Sequence, residues 1–212
     1  MNLKKFSPAP TLSAVELVAK LMRLQASHYV LGPDGTNMVQ ACKAWTQENK
    51  LSERTKIVLC STPEDSLVQA RLTKIDGVVP LFWTCAVFYA LNQIFFRNPD
   101  IYPFLFSFNY KLDNMQLCVM SRLSEKEWCN EWKIGSHQSP APLVASLSNL
   151  VVDATSNSEA ARLCADGKFE ACITTAQAAK IYGLAMVHEF GSPIMVFFIG
   201  TTQHGLETLL KC

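Results

Sequence analysis

The chain of 212 residues is long enough for one large domain or two small lobes with a substantial buried core. Its 49% hydrophobic and 17% charged residues are typical of a compact globular protein and exclude a disordered one. With 19 basic and 18 acidic residues the net charge is +1, so no overall field attracts nucleic acid or an anionic membrane. We therefore expect no nucleic-acid or membrane partner, and a ligand must be recognised locally.

The cysteines, the histidines and the N-terminus bear on cofactors and compartment. The eight cysteines form no Cys-x-x-Cys pair, and the four histidines are dispersed, so we expect neither a metal nor another cofactor. The first ten residues are basic, but Pro8 and Pro10 follow where a signal peptide has an apolar core. Reduced thiols without an export signal predict a cytoplasmic protein.

The first hundred residues alternate between predicted helices and strands. Residues 11–26 are predicted to form a helix that packs outside the main fold, with a capping box of Ser13 and Glu16. Strands are predicted at 28–32, 56–61 and 75–80, and a helix follows each of the first two. The apolar segment 78–96 is interrupted too often to span a membrane, and its helical part is expected to be buried or at a subunit interface. The alternation indicates a parallel α/β sheet.

The second half repeats a strand, a polar turn and a helix. Residues 104–124 are predicted to be extended, strand–turn–helix units follow within 133–149, 149–169 and 170–184, and 193–201 form a last strand. Polar turns at helix starts recur at 34–37, 136–139, 156–158 and 174–175. In open α/β folds such turns gather at the ligand-binding edge, and hydroxyls with bare helix N–H groups suit carboxylates better than nucleotides. Ordinary helix capping is the alternative for each single turn.

Five motifs, in order, resemble the catalytic domain of prephenate dehydratases. They are Leu-Gly-Pro-x-Gly-Thr at 31–36, Val-Val-Pro at 78–80, Ser-His at 136–137, a Ser-Asn-x-x-Ala-Ala helix start at 156–161, and Tyr-Gly-Leu at 182–184. The resemblance covers residues 28–200 and implies an α/β, two-lobed fold like that of type II periplasmic binding proteins, with the ligand between the lobes. It implies a lobe 1 of 28–105 plus 187–212, a lobe 2 of 106–186, an N-terminal extension at 1–27, and no regulatory ACT domain.

The departures from the dehydratase pattern point to a subgroup. Dehydratases carry Thr-Arg-Phe on the last strand, where this chain has Ile-Met-Val at 194–196, and neither Ile nor Met can donate a proton or pair with an anion. Their Glu-Asn-Ser after Val-Val-Pro is replaced by Phe-Trp-Thr at 82–84. The Ser-His-Gln-Ser-Pro stretch at 136–140 is similar to prephenate decarboxylases of secondary metabolism, such as those of the bacilysin and aeruginosin pathways, which also lack Thr-Arg-Phe.

This resemblance implies a carboxy-lyase that converts prephenate to a dihydro-4-hydroxyphenylpyruvate without aromatising the ring. The step would stand early in the biosynthesis of a non-proteinogenic amino acid for an antibiotic-like metabolite, with downstream pathway enzymes acting on the product. A homodimer is compatible with the sequence. Two alternatives stay open: a prephenate dehydratase that forms phenylpyruvate, and a non-catalytic carboxylate-binding module of the same fold.

The same comparison assigns the candidate site residues. The catalytic set is Ser136, His137 and Ile194. The substrate-binding set is polar or small and comes from the turns: Gly35, Thr36, Asn37, Thr84, Ser139, Ser156, Asn157 and Thr174. We expect both sets to line one cleft between the lobes, with Gly35 and Thr36 cradling a carboxylate of prephenate.

Overall fold

The computed structural model describes residues 12–88, 90–120, 123, 131–148, 150–192 and 194–212, with 103–109 described by their backbone alone. The chain divides into two compact units: unit 1 comprises Met1–Tyr110 and Met195–Cys212, and unit 2 comprises Lys111–Ile194. Each unit contains one five-stranded sheet with parallel and antiparallel neighbours. The predicted α/β class is confirmed.

Unit 1 is built on a sheet of order β2-β1-β3-β10-β4. Its strands are β1 (Gln25–Leu31), β2 (Thr55–Cys60), β3 (Val78–Cys85), β4 (Ile101–Lys111) and β10 (Ile194–Thr202). Its helices are α1 (Ala14–Leu21), α2 (Asn37–Glu48), α3 (Pro63–Leu72), α4 (Leu91–Arg97) and α7 (Gln203–Lys211). β1 runs parallel to β2 and β3, whereas β10 returns antiparallel to β3. The carboxyl ends of β1, β2 and β3 therefore lie at one edge.

The first helix is shorter than the sequence indicated. The capping box is confirmed, since the Ser13 side chain accepts from the Glu16 N–H and the Glu16 carboxylate accepts from the Ser13 N–H. The helix ends at Leu21 because the chain must enter the sheet, where the Gln25 N–H donates to the Gly77 carbonyl at 3.1 Å. Its buried side chains are Leu17 and Leu21, and it packs near α7 within unit 1. Residue 11 lies outside the described part.

The apolar segment 78–96 forms a strand and a short helix: the strand predicted at 75–80 extends to Cys85, and the expected helical part is only α4 (Leu91–Arg97). β3 is buried along residues 79–84 and lies between β1 and β10. A strand covered on both faces gives a continuous apolar run, which periodicity cannot distinguish from a buried helix. In the part of the chain that the structure describes, no helix is both long and apolar enough to cross a membrane.

Unit 2 has the sheet order β7-β6-β8-β5-β9. Its strands are β5 (Met115–Met120), β6 (Ile134–Ser136), β7 (Val151–Asp153), β8 (Ala171–Thr175) and β9 (Leu184–Gly191), and its helices are α5 (Asn157–Ala165) and α6 (Ala176–Ile181). β6 runs parallel to both β7 and β8, whereas β5 is antiparallel to β8 and to β9. Because β9 pairs with β5, the unit boundary falls after Ile194, later than the expected lobe boundary at 186/187.

The helix expected after the turn at 136–139 is only a single 3-10 turn, Ala141–Val144. Pro140 and Pro142 lack an N–H and cannot support a regular helix beyond its first turn. The strand before this turn depends on a glycine: a Cβ on Gly135 would lie 2.2 Å from Cδ2 of the Phe169 ring. Gly135 thus lets β6 pass under Phe169, which places Ser136 and His137 at the end of the strand.

Candidate functional site

The predicted site residues of unit 2 meet at the carboxyl edge of its parallel strands. Ser136 ends β6 and lies beside Asp153, which ends β7. Ser136 is fully buried, and its Oγ donates to the His137 carbonyl at 2.8 Å. Its own carbonyl accepts from the Ala154 N–H at 2.8 Å. Both polar ends of Ser136 are therefore fixed, and the residue anchors the turn that carries His137.

The imidazole of His137 has a defined orientation. The Ser139 N–H donates to its Nδ1 at 3.3 Å, so the hydrogen of the neutral ring lies on Nε2. Burial lowers the pKa of His137, and the negative charge of nearby Asp153 opposes that shift. The ring is therefore neutral near pH 7 and presents an N–H donor at Nε2.

The start of α5 supplies a cap and an unsatisfied amide. The Ser156 Oγ accepts from the Glu159 N–H at 3.1 Å, and the Thr174 Oγ1 donates to the Asn157 carbonyl at 2.7 Å. The side-chain oxygen of Asn157 is buried and has no hydrogen-bond partner among the described residues. Because buried polar atoms are nearly always hydrogen-bonded, the Asn157 Oδ1 is the atom at this edge where a ligand or a water would supply the missing hydrogen bond.

Asp113 has a role at this edge that the sequence did not suggest. Its Oδ2 accepts from the Gln177 N–H at 2.7 Å, at the start of α6, while Thr175 caps the same helix through the Ala178 N–H at 3.2 Å. A carboxylate of the protein itself thus occupies the helix start beside Thr174. No local pattern identifies such a contact, because Asp113 lies 64 positions from Gln177 in sequence.

In unit 1, Thr36 and Thr84 lie at the carboxyl edge of the neighbouring strands β1 and β3. Thr36 closes its own turn: its Oγ1 donates to the Leu31 carbonyl at 2.9 Å and accepts from the Val39 N–H at 3.4 Å. Gly35 adopts a φ of 88°, a conformation that favours glycine. The Thr36 hydroxyl is therefore committed to capping α2, the helix that Asn37 begins.

Asp34 already occupies part of the expected carboxylate cradle. Its Oδ1 accepts from the Gly35 N–H at 3.0 Å and from the Lys43 ammonium at 2.8 Å. The hydrogen bond from Lys43, followed by that from Gly35, lowers the pKa of Asp34. A substrate carboxylate at Gly35 would have to displace or join this acid.

Thr84 and Ile194 differ from the capping residues. Thr84 is fully buried on β3, and its Oγ1 has no hydrogen-bond partner among the described residues. Ile194 begins β10 and is 73% exposed, so it offers an apolar surface without a donor. The expectation that the site residues of the two units line one cleft stays a prediction.

Trp45 of α2 packs in a buried aromatic cluster with His28 and Trp83. His28 is fully buried, its Nδ1 accepts from the Trp83 Nε1–H at 2.9 Å, and its ring lies 5.9 Å from that of Trp45 on α2. Burial lowers the pKa of His28 to about 3, so this imidazole is neutral in the folded protein. Sequence reasoning did not single out His28, since one histidine in a strand carries no distinctive pattern.

The described residues contain no cluster of side chains suited to bind a metal ion. No group of three or more His, Cys, Asp or Glu side chains is placed there to hold an ion. The seven cysteines that the structure describes are free, and most of them are buried.

No protein-family model matches the chain, and no curated protein matches it in sequence. Solved structures do match it. The periplasmic VFT2 domain of BvgS from Bordetella pertussis matches with a TM-score of 0.57 and 15% identity over 95% of this chain and 93% of that one. PhnD1 from Prochlorococcus marinus, in complex with methylphosphonate, matches with a TM-score of 0.52 and 11% identity over 89% and 83%.

A prephenate dehydratase from Staphylococcus aureus also matches, with a TM-score of 0.50 and 15% identity. The match covers 84% of this chain and 66% of that one. At such identities the likeness shows the fold alone. The chain therefore has an α/β fold like that of periplasmic binding proteins, which the prephenate dehydratase neighbour shares.

Proposed function

We propose that this protein decarboxylates prephenate and leaves the ring non-aromatic, giving a dihydro-4-hydroxyphenylpyruvate. The observation that carries the proposal is Ile194, an exposed apolar residue at the start of β10 where the dehydratase pattern has a threonine. An isoleucine neither protonates nor hydrogen-bonds a departing hydroxyl. The motifs at 31–36, 136–140 and 182–184 support the same assignment.

The chemistry depends on what replaces the carboxylate of the ring. When carbon dioxide leaves, its bonding electron pair passes into the ring. In a dehydratase that pair expels the ring hydroxyl, which leaves as water once protonated, and the product is phenylpyruvate. In the proposed reaction a ring carbon takes up one proton from solvent, the hydroxyl stays, and the product is still a cyclohexadiene. A site without an acid near the hydroxyl favours the second course.

The substrate presents two carboxylates and a keto group, which require donors. In unit 2, His137 offers an Nε2–H from a neutral ring, and the Asn157 amide is incompletely bonded. In unit 1, the buried Thr84 hydroxyl lacks a partner among the described residues. We assign the His137 ring and the Asn157 amide to substrate binding, because the Ser156 hydroxyl at the same edge is already committed to a helix cap.

Incubation of the purified protein with prephenate tests the proposal. We expect release of carbon dioxide and a non-aromatic keto acid, identified by chromatography, mass and the absence of phenylpyruvate. Buffer without protein is the control for spontaneous aromatisation. Phenylpyruvate as the sole enzymatic product would assign a dehydratase instead.

A non-catalytic binding module is the second candidate. It is favoured by the likeness in fold to a Venus-flytrap domain and to a methylphosphonate-bound protein. Calorimetric titration with prephenate and with methylphosphonate distinguishes it: saturable binding without turnover supports the module. His137→Gln is expected to weaken binding in either case. In the wild type the Ser139 N–H donates to Nδ1 and so orients the Nε2–H of the ring, and a glutamine side chain does not reproduce that arrangement.

A further inference from the structure

Asp153 lies against the turn that carries His137. In the parallel pairing of β6 with β7, Asp153 is the partner of Ser136, so both residues end their strands at the same edge. The Gln138 Nε2–H donates to Asp153 Oδ2 at 3.3 Å. The next residue, Ala154, donates its backbone N–H to the Ser136 carbonyl at 2.8 Å. The end of β7 therefore holds this turn through one backbone contact and one side-chain contact, on either side of His137 in the sequence.

The far end of the same turn fixes the His137 ring. Its Nδ1 accepts from the Ser139 N–H at 3.3 Å, which requires that this nitrogen carry no proton. Protonation of Nδ1 would set two N–H donors against each other, and the ring would lose the contact that directs its Nε2–H. The charge state of His137 therefore decides whether this donor keeps its direction.

Charged side chains reach this end of unit 2 from three elements. They are Asp153 on β7, Glu159 and Arg162 on α5, and Asp113 in the segment before β5. Glu159 pairs with Arg162 at 3.6 Å, and Asp113 accepts from a backbone N–H at the start of α6. The 3-10 turn that follows His137, Ala141–Val144, carries no charge. Burial lowers the pKa of His137, and among the charged groups of the described residues it is Asp153 that opposes this shift.

We propose that Asp153 is a positioning residue for His137, one that holds the turn through a hydrogen bond and, by its negative charge, sets the pH at which the ring loses its contact with Ser139. Asp153 acts through the imidazole and needs no contact with a ligand of its own. Its effect on the ring is a property of the ligand-free protein. The consequence for prephenate rests on the proposed function, in which this imidazole binds the substrate.

Asp153→Asn separates the charge from the hydrogen bond. The asparagine Oδ1 can still accept from the Gln138 Nε2–H, so a merely structural role of Asp153 would survive the substitution. NMR titration of the His137 ring in the ligand-free protein, with His137→Gln to assign its resonances, measures the effect of the charge. We expect the midpoint to move to lower pH in Asp153→Asn, because the imidazolium loses a nearby negative charge. In the wild type the Ser139 amide resonance should shift with the same midpoint as the ring.

Asp166→Asn is the matched control. Asp166 is an exposed acid of the same unit whose carboxylate pairs with Arg162 at 2.9 Å, and its loss should leave the midpoint of His137 in place. Gln138→Ala removes the hydrogen bond but keeps the charge of Asp153, so its midpoint should stay above that of Asp153→Asn. Circular dichroism verifies the folding of each variant. Equal midpoints in the wild type and Asp153→Asn overturn the proposal, and so does a Ser139 amide that does not follow the ring.

The pH profile of kcat/KM for prephenate tests the consequence at the site. We expect the acid limb of this profile to move to lower pH in Asp153→Asn, in step with the ring. A limb that stays in place while the ring titration moves would overturn the positioning role in the reaction. If no protein turns over or binds prephenate although the ring titration moves, the proposed function fails and the effect of Asp153 on His137 stands. Turnover with an unmoved ring titration refutes the role of Asp153 alone.

Discussion

Lowering the pH from 7 to 5 tests the buried imidazole of His28. The Trp83 Nε1–H donates to its Nδ1, and complete burial lowers the pKa of His28 from 6.5 to about 3. Between these two values the unfolded chain binds a proton at this histidine and the folded protein does not. Stability therefore falls as the pH falls through about 6.5, and the contribution of His28 to the pH dependence fades as the pH rises well above that value.

The size of this effect follows from linkage. Between pH 7 and pH 5 the histidine of the unfolded chain goes from about one quarter protonated to almost fully protonated, while the folded ring stays neutral. The free energy of unfolding should fall by about 2 kcal/mol over this interval from His28 alone. This is a large share of the stability of an ordinary domain.

Denaturant unfolding at both pH values, followed by tryptophan fluorescence, measures the effect, because Trp45 and Trp83 lie in the same cluster. His28→Asn is the comparison variant: its amide oxygen keeps an acceptor near the position of Nδ1 but does not titrate. His137 and the surface carboxylates are common to both proteins, so their contributions cancel in the difference. Equal losses of stability in wild type and variant would refute a neutral, buried His28.

Three further predictions concern the site and its support. Ile194→Thr together with Met195→Arg should raise the fraction of prephenate converted to phenylpyruvate, because threonine can hydrogen-bond the departing hydroxyl. Ile194→Val adds no donor and should leave the product ratio unchanged. Chromatography of both keto acids measures that ratio. Gly135→Ala should cost about 1–3 kcal/mol in denaturant unfolding because its Cβ would lie 2.2 Å from the Phe169 ring, and adding Phe169→Leu should recover part of that loss. Thr84→Val should stabilise the ligand-free protein by about 1 kcal/mol and raise its melting temperature, because it removes a buried hydroxyl without a described partner. A lower melting temperature would mean that the hydroxyl is hydrogen-bonded.

Local signals in the sequence were reliable where the chemistry is local. The capping box of Ser13 and Glu16 forms as expected, and the polar turns at Thr36 and Ser156 take the alternative of ordinary helix caps, because each cap needs only residues three positions apart. The α/β class also followed from the alternation of strands and helices, but the prediction of a parallel sheet was wrong in part, because β10 runs antiparallel to β3 and β5 runs antiparallel to β8 and β9. β3 was predicted only as far as Pro80, because burial on both faces removes the alternation that marks the rest of the strand.

Long-range features were beyond the reach of the sequence. The pairing of β9 with β5, which moves the unit boundary to Ile194, joins segments more than sixty residues apart. The contact of Asp113 with the Gln177 N–H is of the same kind. Such contacts arise from how strands are ordered in a sheet, and neither propensity nor periodicity encodes that order.

The recurring strand–turn–helix device has a consequence for where a ligand can bind. Each cap uses the hydroxyl that the sequence offered as a ligand group: Thr36 serves α2 and Ser156 serves α5. Acids of the protein also occupy backbone donors, Asp34 at Gly35 and Asp113 at Gln177. A polar turn at a helix start is therefore more often complete in itself than open to a substrate.

The polar groups that could still bind a ligand at these edges are not the capping hydroxyls of the sequence motifs. The Nε2–H of His137 is directed by a backbone contact to Nδ1, and the Asn157 and Thr84 oxygens are buried without described partners. Leaving such groups unsatisfied costs stability, which a ligand or bound water would restore. Each of these three side chains is therefore a group that a ligand or a bound water would satisfy within its own unit, while the caps fix the neighbouring turns.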